Sequence, residues 1–217
     1  MMGHTGVALA LVVALFCPAL AHRAIGERSK CVSSSRTIYD TPFNFTMLNG
    51  TTVPLSKFRG EIHITINATY LSTHGANWQY PLFNALQELE GVTVLGFPCN
   101  QFGLQEPGAN SEILKILEHV RPGGGFQPNF PMFEKLEVNG ENAHPLFKFL
   151  KDQCNVVTSQ FAPKARLFYE PIQPNDIEWN FHKFLVDQEG RARRRYHHNT
   201  PPDAAIVRKD IRFLQNN

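Results

Sequence analysis

The chain has 217 residues, of which 42% are hydrophobic and 18% are charged, and its formal net charge is +2. This length and composition fit one ordinary globular domain with a real hydrophobic core. The small net charge argues against a nucleic-acid partner.

The first segment is typical of a secretory signal peptide. An apolar run covers Val7 to Cys17, and the small-residue sequence Ala19-Leu20-Ala21 follows it. The run is too short to span a bilayer, which takes a helix of about 20 residues, and no later segment is long and apolar enough to anchor the chain. We therefore predict a signal peptide over residues 1–21 and a single secreted domain over residues 22–217, with no membrane partner.

A β-hairpin is predicted after a polar start, between Thr37 and Phe58. Its two short strands flank Asn49-Gly50, a favoured turn pair because both residues tolerate positive φ. Two glycosylation sequons begin in this segment, at Asn44 and Asn49, which suits a secreted chain. A third sequon begins at Asn67, but it ends an apolar strand and is expected to be inaccessible.

A strand, a helix and a second strand come next. Isoleucines recur at every second position between Glu61 and Thr69, which predicts a strand. Leucines share one helical face between Trp78 and Glu90, and Val92 to Pro98 is an apolar, β-branched run. This order predicts a βαβ unit, with two parallel strands joined by a right-handed crossover.

Two amphipathic helices are predicted in the following segment. The first runs from Asn110 to Val120, with Asn110 as a plausible cap, and the second runs from Ala143 to Gln153. The Gly-rich loop between them, Arg121 to Phe126, follows a helix and precedes no phosphate-binding helix, so it is not a nucleotide motif.

The last elements are an antiparallel hairpin and a helix. The hairpin turns at Gln188-Glu189-Gly190, and the helix covers Pro201 to Gln215, with Pro202 suited to its first turn. The basic run Arg191 to Arg195 is interpreted as a solvated loop or strand edge, with an anionic ligand site as the alternative. The complete pattern predicts an α/β fold, a thioredoxin-like three-layer sandwich with a mixed central sheet and an N-terminal β-hairpin.

Removal of the signal peptide leaves three cysteines, Cys31, Cys99 and Cys154. They lie far apart and form no CxxC or zinc-binding spacing. Because three is an odd number, at least one thiol stays free or pairs between chains. The nine histidines form no HxH or HExxH pattern, so we expect no metal site.

Three stretches resemble the glutathione peroxidase family, particularly its secreted members. They are GFPCNQFGLQEPG at Gly96 to Gly108, RPGGGF at Arg121 to Phe126 and WNFHKFLV at Trp179 to Val186. The resemblance implies an antioxidant enzyme that reduces hydrogen peroxide and organic hydroperoxides at a selenocysteine or cysteine. It implies glutathione as the reducing co-substrate, no other cofactor, and a homotetramer, an assembly associated with the RPGGGF loop.

The resemblance also assigns roles to five residues. It gives Gln105, Trp179 and Asn180 as hydrogen-bond donors to the nucleophile, and such donors favour its charged form and lower its pKa. Arg121 and Arg195 take plausible positions for attracting the carboxylates of glutathione. Histidines replace some of the arginines of the cytosolic members, so thioredoxin or another thiol is an alternative reductant.

The position of the nucleophile itself holds a leucine. In the family the chalcogen directly follows a word like VATY, whereas here Leu71 follows Asn67-Ala68-Thr69-Tyr70. We consider three explanations: a selenocysteine codon bypassed in the reading of the gene, a genuine pseudoenzyme that binds without turnover, or chemistry on Cys99. For Cys99 the favoured interpretation is a buried structural thiol, and the hydroxyls after Leu71 are poor substitutes for a chalcogen.

Overall fold

The computed structural model describes residues 28–72 and 75–217, so the signal peptide predicted over residues 1–21 lies outside the described residues. The described chain forms seven strands and four α-helices. The strands are β1 (Arg28–Lys30), β2 (Asn44–Thr46), β3 (Thr52–Pro54), β4 (Ile62–Ala68), β5 (Val92–Pro98), β6 (Lys183–Val186) and β7 (Ala192–Tyr196). The α-helices are α1 (Ala76–Gln87), α2 (Asn110–His119), α3 (Pro145–Gln153) and α4 (Ala205–Gln215), and two short 3-10 helices cover Leu55–Phe58 and Lys164–Arg166.

Five of the strands form the central sheet, in the order β1-β7-β6-β4-β5. Strands β4 and β5 are parallel, with Ile66 opposite Gly96, whereas β6 runs antiparallel to β4, with Lys183 opposite Ile66. The sheet is therefore mixed, as predicted. The β2-β3 pair forms the separate N-terminal hairpin, and Gly50 in its turn has a φ of +84°, a conformation that glycine adopts without strain.

A hydrophobic layer covers each face of the sheet. Because side chains alternate along a strand, the isoleucines of β4 all point to one face. There they join one apolar cluster with buried residues of α1, α2 and α4, including Phe83, Leu117 and Ile211. The other cluster contains residues of the hairpin and α3, including Phe45 and Phe147. The predicted three-layer α/β sandwich is confirmed.

Several details differ from the sequence prediction. Helix α4 begins at Ala205, so Pro202 lies before the helix and not in its first turn. Asn110 is the first residue of α2, not its cap: its Oδ1 accepts a hydrogen bond from the backbone N–H of Lys135 at 2.9 Å, and Glu112 accepts from the N–H of Ala109 instead. Strand β1 was not predicted, because a three-residue polar strand has no apolar periodicity.

A disulfide bond joins Cys31 to Cys154, whereas Cys99 is a free, buried thiol. This pairing agrees with the odd cysteine count. The candidate glycosylation residues Asn44 and Asn49 are exposed, and Asn67 is fully buried within β4, as expected for an inaccessible sequon. In residues 28–72 and 75–217, no helix has the length and apolar character needed to cross a membrane.

Candidate active site

The topology brings three distant segments to one edge of the sheet. Parallel strands β4 and β5 end together, since Ala68 lies opposite Pro98, and the antiparallel β6 begins at Lys183 beside the end of β4. The segments that follow β4 and β5 and the segment that precedes β6 therefore meet. Such an edge, at the carboxyl ends of the strands, is where α/β folds commonly bind ligands.

A buried asparagine of β4 fixes the segment before β6. The side chain of Asn67 accepts a hydrogen bond from the N–H of His182 at 2.9 Å and donates one to the carbonyl of Trp179 at 3.2 Å. The backbone carbonyl of Asn67 also accepts from the N–H of Phe181, which has a φ of +64°. These bonds hold Trp179 and Asn180 against the end of β4.

Gln105 lies between this segment and position 71. Its Oε1 accepts a hydrogen bond from Nδ2 of the buried Asn180 at 2.9 Å. Its backbone carbonyl accepts from the N–H of Leu71 at 3.0 Å and from the hydroxyl of Thr69. Gln105 therefore contacts both the segment before β6 and the residue that takes the nucleophile's place.

The indole of Trp179 packs on the loop that follows β5 and carries Gln105. Its ring contacts Phe102 edge to face, with the ring centroids 5.8 Å apart, and the guanidinium of Arg166 lies 4.6 Å from its centroid. The structure thus brings Gln105, Trp179 and Asn180 together. Asn180 differs from the expectation in one respect: its Nδ2 donates to Gln105 and, at 3.4 Å, to the carbonyl of Phe102. Asn180 therefore positions the side chain of Gln105 by donating to its Oε1.

Leu71 is at the surface of this site, with 37% of its area exposed. Its carbonyl accepts a hydrogen bond from Nη1 of Arg121 at 3.1 Å, which ties the Gly-rich loop to the end of β4. Arg121 therefore lies beside position 71, and its role in attracting glutathione stays a prediction. The side chain of Leu71 has no lone pair and no ionisable proton, so the described site lacks a nucleophile at this position.

Sequence reasoning missed a buried carboxyl next to Gln105. Glu106 is fully buried, and its Oε2 accepts a hydrogen bond from the N–H of Tyr70 at 2.7 Å. Burial raises the pKa of Glu106 to about 8, because the Tyr70 N–H and the charge of Lys135 offset only part of the desolvation cost. Glu106 holds the residue before position 71 in place. The available signal was that Glu106 is the only charged residue between Glu90 and Glu112.

Arg195 does not lie at an entrance to the site. It is fully buried in β7, where its Nε donates to His182 at 2.8 Å and its Nη1 and Nη2 donate to the carbonyls of Asn175 and Asp176. It also pairs with the buried carboxylate of Glu178. These contacts occupy the guanidinium inside the protein, so the position of Arg195 gives no support to the predicted glutathione-binding role.

Cys99 follows β5 and is fully buried. Burial raises the pKa of its thiol to about 12, so the thiol stays protonated at neutral pH. Because the thiolate is the reactive form, this environment suits a structural cysteine and not a nucleophile.

Comparisons with known proteins identify the family that this chain resembles. A family model described as glutathione peroxidase matches residues 38–151. The chain is 43% identical to the cuticular glutathione peroxidase of Brugia malayi over 197 residues, which cover 88% of this chain and 86% of that protein. It is 42% identical to glutathione peroxidase 6 of Mus musculus over 203 residues, which cover 91% of this chain and 90% of that protein.

A solved structure is similar in fold. The crystal structure of T. cruzi GPX1 superposes with a TM-score of 0.56 at 26% identity, covering 84% of this chain and 98% of that one. Together with the mixed sheet and its two helical layers, this similarity supports the predicted thioredoxin-like α/β fold.

Proposed function

This chain belongs to the glutathione peroxidase family, and we propose that its site reduces hydrogen peroxide and organic hydroperoxides with glutathione when a thiol or selenol occupies position 71. The observation that carries the proposal is the contact set of Gln105. This residue accepts the amide of Asn180 through its side chain and the N–H of Leu71 through its backbone. The backbone of position 71 is therefore bonded to Gln105, whose side-chain amide is held in place by Asn180.

The chemistry needs an ionised chalcogen. A thiolate or selenolate at position 71 attacks the O–O bond of the hydroperoxide, takes up one oxygen and becomes a sulfenic or selenenic acid, while the rest of the peroxide leaves as alcohol or water after gaining a proton. One glutathione thiol then forms a mixed disulfide or selenosulfide with release of water. A second glutathione thiol releases glutathione disulfide and restores the nucleophile.

The surrounding groups support the ionised state. The amide of Gln105 and the indole N–H of Trp179, whose ring contacts Phe102 of the loop that carries Gln105, are neutral donors, and hydrogen bonds to an anion lower its pKa. Arg121, bonded to the carbonyl of Leu71, adds a positive charge at the same place. This set stabilises a negative charge at position 71 without introducing a competing base.

The leucine favours a second function for the chain as its sequence reads. A hydrocarbon side chain cannot be oxidised and reduced in turn, so a protein with Leu71 is a pseudoenzyme that keeps the scaffold and binds without turnover. Such a protein would bind thiol ligands or join oligomers of active family members. The two functions differ in whether position 71 carries a thiol or selenol.

We also propose that the chain is secreted, glycosylated and homotetrameric. The exposed sequons at Asn44 and Asn49 and the Cys31–Cys154 disulfide suit an oxidising extracellular compartment. Expression of the full chain in cultured animal cells tests this: the protein should reach the medium, lose mass with an N-glycosidase and elute with four times the mass of one chain. Retention in the cell or a monomeric mass would contradict the corresponding part.

The deciding experiment compares the protein as it stands with Leu71→Cys and the isosteric hydroxyl control Leu71→Ser. Peroxide-dependent oxidation of glutathione should rise well above the thiol background only for Leu71→Cys. Activity equal to that of Leu71→Ser would overturn the peroxidase proposal and leave the pseudoenzyme. Sequencing of the transcript across codons 65–80 then shows whether an in-frame UGA or cysteine codon exists in the gene.

A further inference from the structure

We propose that Arg166 is the carboxylate-binding residue of this site, held by Trp179 and Gly103 to bind the carboxylate of an incoming substrate. The proposal rests on the proposed function, because it names a contact that an anionic substrate makes at that same site. Neither the basic run of the sequence nor the Gly-rich loop pointed to this arginine.

Packing on two sides fixes the guanidinium. One face lies over the indole of Trp179, 4.6 Å from its centroid. On another side lies Gly103, where a Cβ atom would be 3.1 Å from Nη2 of Arg166 and 3.3 Å from the indole ring. The backbones are joined as well, because the N–H of Gly103 donates to the carbonyl of Arg166 at 2.8 Å. Glycine at 103, with its φ of +63°, leaves room for this stack.

The donors of this guanidinium remain available. Arg166 is exposed. In the part of the chain that the structure describes, its side chain makes no salt bridge and donates no hydrogen bond. Its neighbour Lys164 is paired with Glu170, so the nearby carboxylate already has a partner. An arginine stacked on an aromatic ring loses little further freedom when it binds a carboxylate through its planar fork.

The surroundings indicate an amphipathic anion. Leu104, next to Gly103, and Phe168, two residues after Arg166, each have 47% of their area exposed. Arg121 supplies a second cation at the carbonyl of Leu71. A carboxylate on Arg166 therefore places the attached carbon chain or peptide beside apolar surface, against the loop that carries Gly103 and Gln105. Two sources have this chemistry: the carboxylates of glutathione and the carboxylate of a fatty-acid hydroperoxide.

The test measures ligand binding through the fluorescence of Trp179, on which Arg166 is stacked. The chain has two tryptophans, so Trp78→Phe leaves Trp179 as the single tryptophan, which can be excited selectively over the tyrosines. The full chain with Leu71 is titrated with S-methylglutathione, whose thiol is blocked, and separately with dodecanoate below its micelle concentration. At least one ligand should change the fluorescence of Trp179 saturably, and calorimetric titration should give the same dissociation constant.

The variants assign the contact to one side chain. Arg166→Ala should weaken that binding by about tenfold, the typical loss for one charge-assisted contact, and Arg166→Lys should fall between Arg166→Ala and the parent. The matched control is Arg59→Ala, because Arg59 is also an exposed arginine stacked on an aromatic ring, 4.2 Å from the centroid of Tyr39. Arg59 precedes the first residue of β4, whereas the site lies where β4 ends. This control should bind like the parent.

Each outcome has a defined meaning. Binding of S-methylglutathione alone, of dodecanoate alone or of both supports the carboxylate site and identifies its source. Binding of neither ligand, or an Arg166→Ala variant that folds and binds as tightly as the parent, overturns it. Because no step involves turnover, loss of binding in Arg166→Ala together with an inactive Leu71→Cys would leave this site standing and remove the peroxidase proposal.

Discussion

Asn180 donates its side-chain amide to Oε1 of Gln105 at 2.9 Å, although 75 residues separate the two in sequence. The bond fixes which end of the Gln105 carboxamide faces Asn180. In residues 28–72 and 75–217, the other end, Nε2, donates no hydrogen bond to a described partner. Asn180 therefore keeps the donor end of Gln105 available for an anion at position 71.

The first prediction concerns the acidity of a thiol at position 71. In the Leu71→Cys variant, Gln105→Ala should raise the pKa of the introduced thiol by about one unit, because one donor to the thiolate is lost. Asn180→Ala should raise it in the same direction, and the double variant should show less than the sum of the two, since Asn180 acts through Gln105. The pH dependence of alkylation by iodoacetamide measures this pKa.

The control for this cycle is Gln215→Ala, which changes an exposed glutamine at the end of α4. It should leave the pKa of the introduced thiol unchanged. Fully additive effects of Gln105→Ala and Asn180→Ala would show that Asn180 acts on position 71 independently of Gln105.

Local sequence patterns predicted the elements but not the contacts of the site. The run from Val92 to Pro98 was predicted to the residue, because an apolar β-branched run between turn signals leaves little choice. The two residues that pair at the centre of the site, Gln105 and Asn180, meet only through the topology of the sheet, and the family motifs supplied their roles. No local spacing contains that information.

Side-chain direction explains why Arg195 is buried although the sequence predicts a solvated position. The run from Arg191 to Arg195 is a dense basic segment, which predicts a solvated edge. Within β7, however, Arg194 and Arg195 point to opposite faces, and Arg195 meets the buried carboxylate of Glu178. Arg195 is structural because the fold places residues 178–182 beside it, which no local pattern shows. Arg166, by contrast, lies in the short 3-10 helix Lys164–Arg166, where no sequence pattern predicts a binding role.

The second prediction concerns the pH dependence of stability at Glu106. Its pKa is raised to about 8, mainly by burial, so its contribution to stability is complete below the ordinary pKa of glutamate and is lost as the pH rises through about 8. Glu106→Gln keeps an oxygen for the N–H of Tyr70 but does not ionise. Its stability relative to the parent should therefore increase between pH 5 and pH 8, by about 1.4 kcal/mol for each unit over which the parent carboxyl resists ionisation.

Urea unfolding of both proteins at pH 5, 6, 7 and 8 measures this difference. The matched control, Glu90→Gln, changes an exposed carboxylate after α1 and should show no such trend. Buried histidines such as His182, whose pKa burial lowers to about 4, lose their stability contribution as the pH falls; they are common to all three proteins and cancel. A constant difference between Glu106→Gln and the parent would contradict the prediction.

The third prediction separates the structural arginine from an exposed one. Arg195→Ala should reduce the free energy of unfolding by about 3–5 kcal/mol, because it leaves the buried Glu178 without its cationic partner. Arg191→Ala is the control immediately before the same strand: its side chain pairs with Glu189 at 3.5 Å and both side chains are exposed, so its loss should cost no more than about 1 kcal/mol. Equal losses in urea unfolding would show that the Arg195 network contributes no special stability.

The fourth prediction concerns the reactivity of the cysteines. The chain over residues 22–217 contains Cys31, Cys99 and Cys154, of which two form the disulfide and the third is buried with its thiol pKa raised to about 12 by desolvation. The native protein should therefore not react with an aromatic disulfide reagent at pH 8. In denaturant one thiol should react, and after reduction in denaturant three should react. Cys99→Ser should remove the reaction in denaturant alone, whereas fast reaction of one thiol in the native parent would mean that Cys99 is accessible and would restore it as a candidate for the redox chemistry that Leu71 cannot perform.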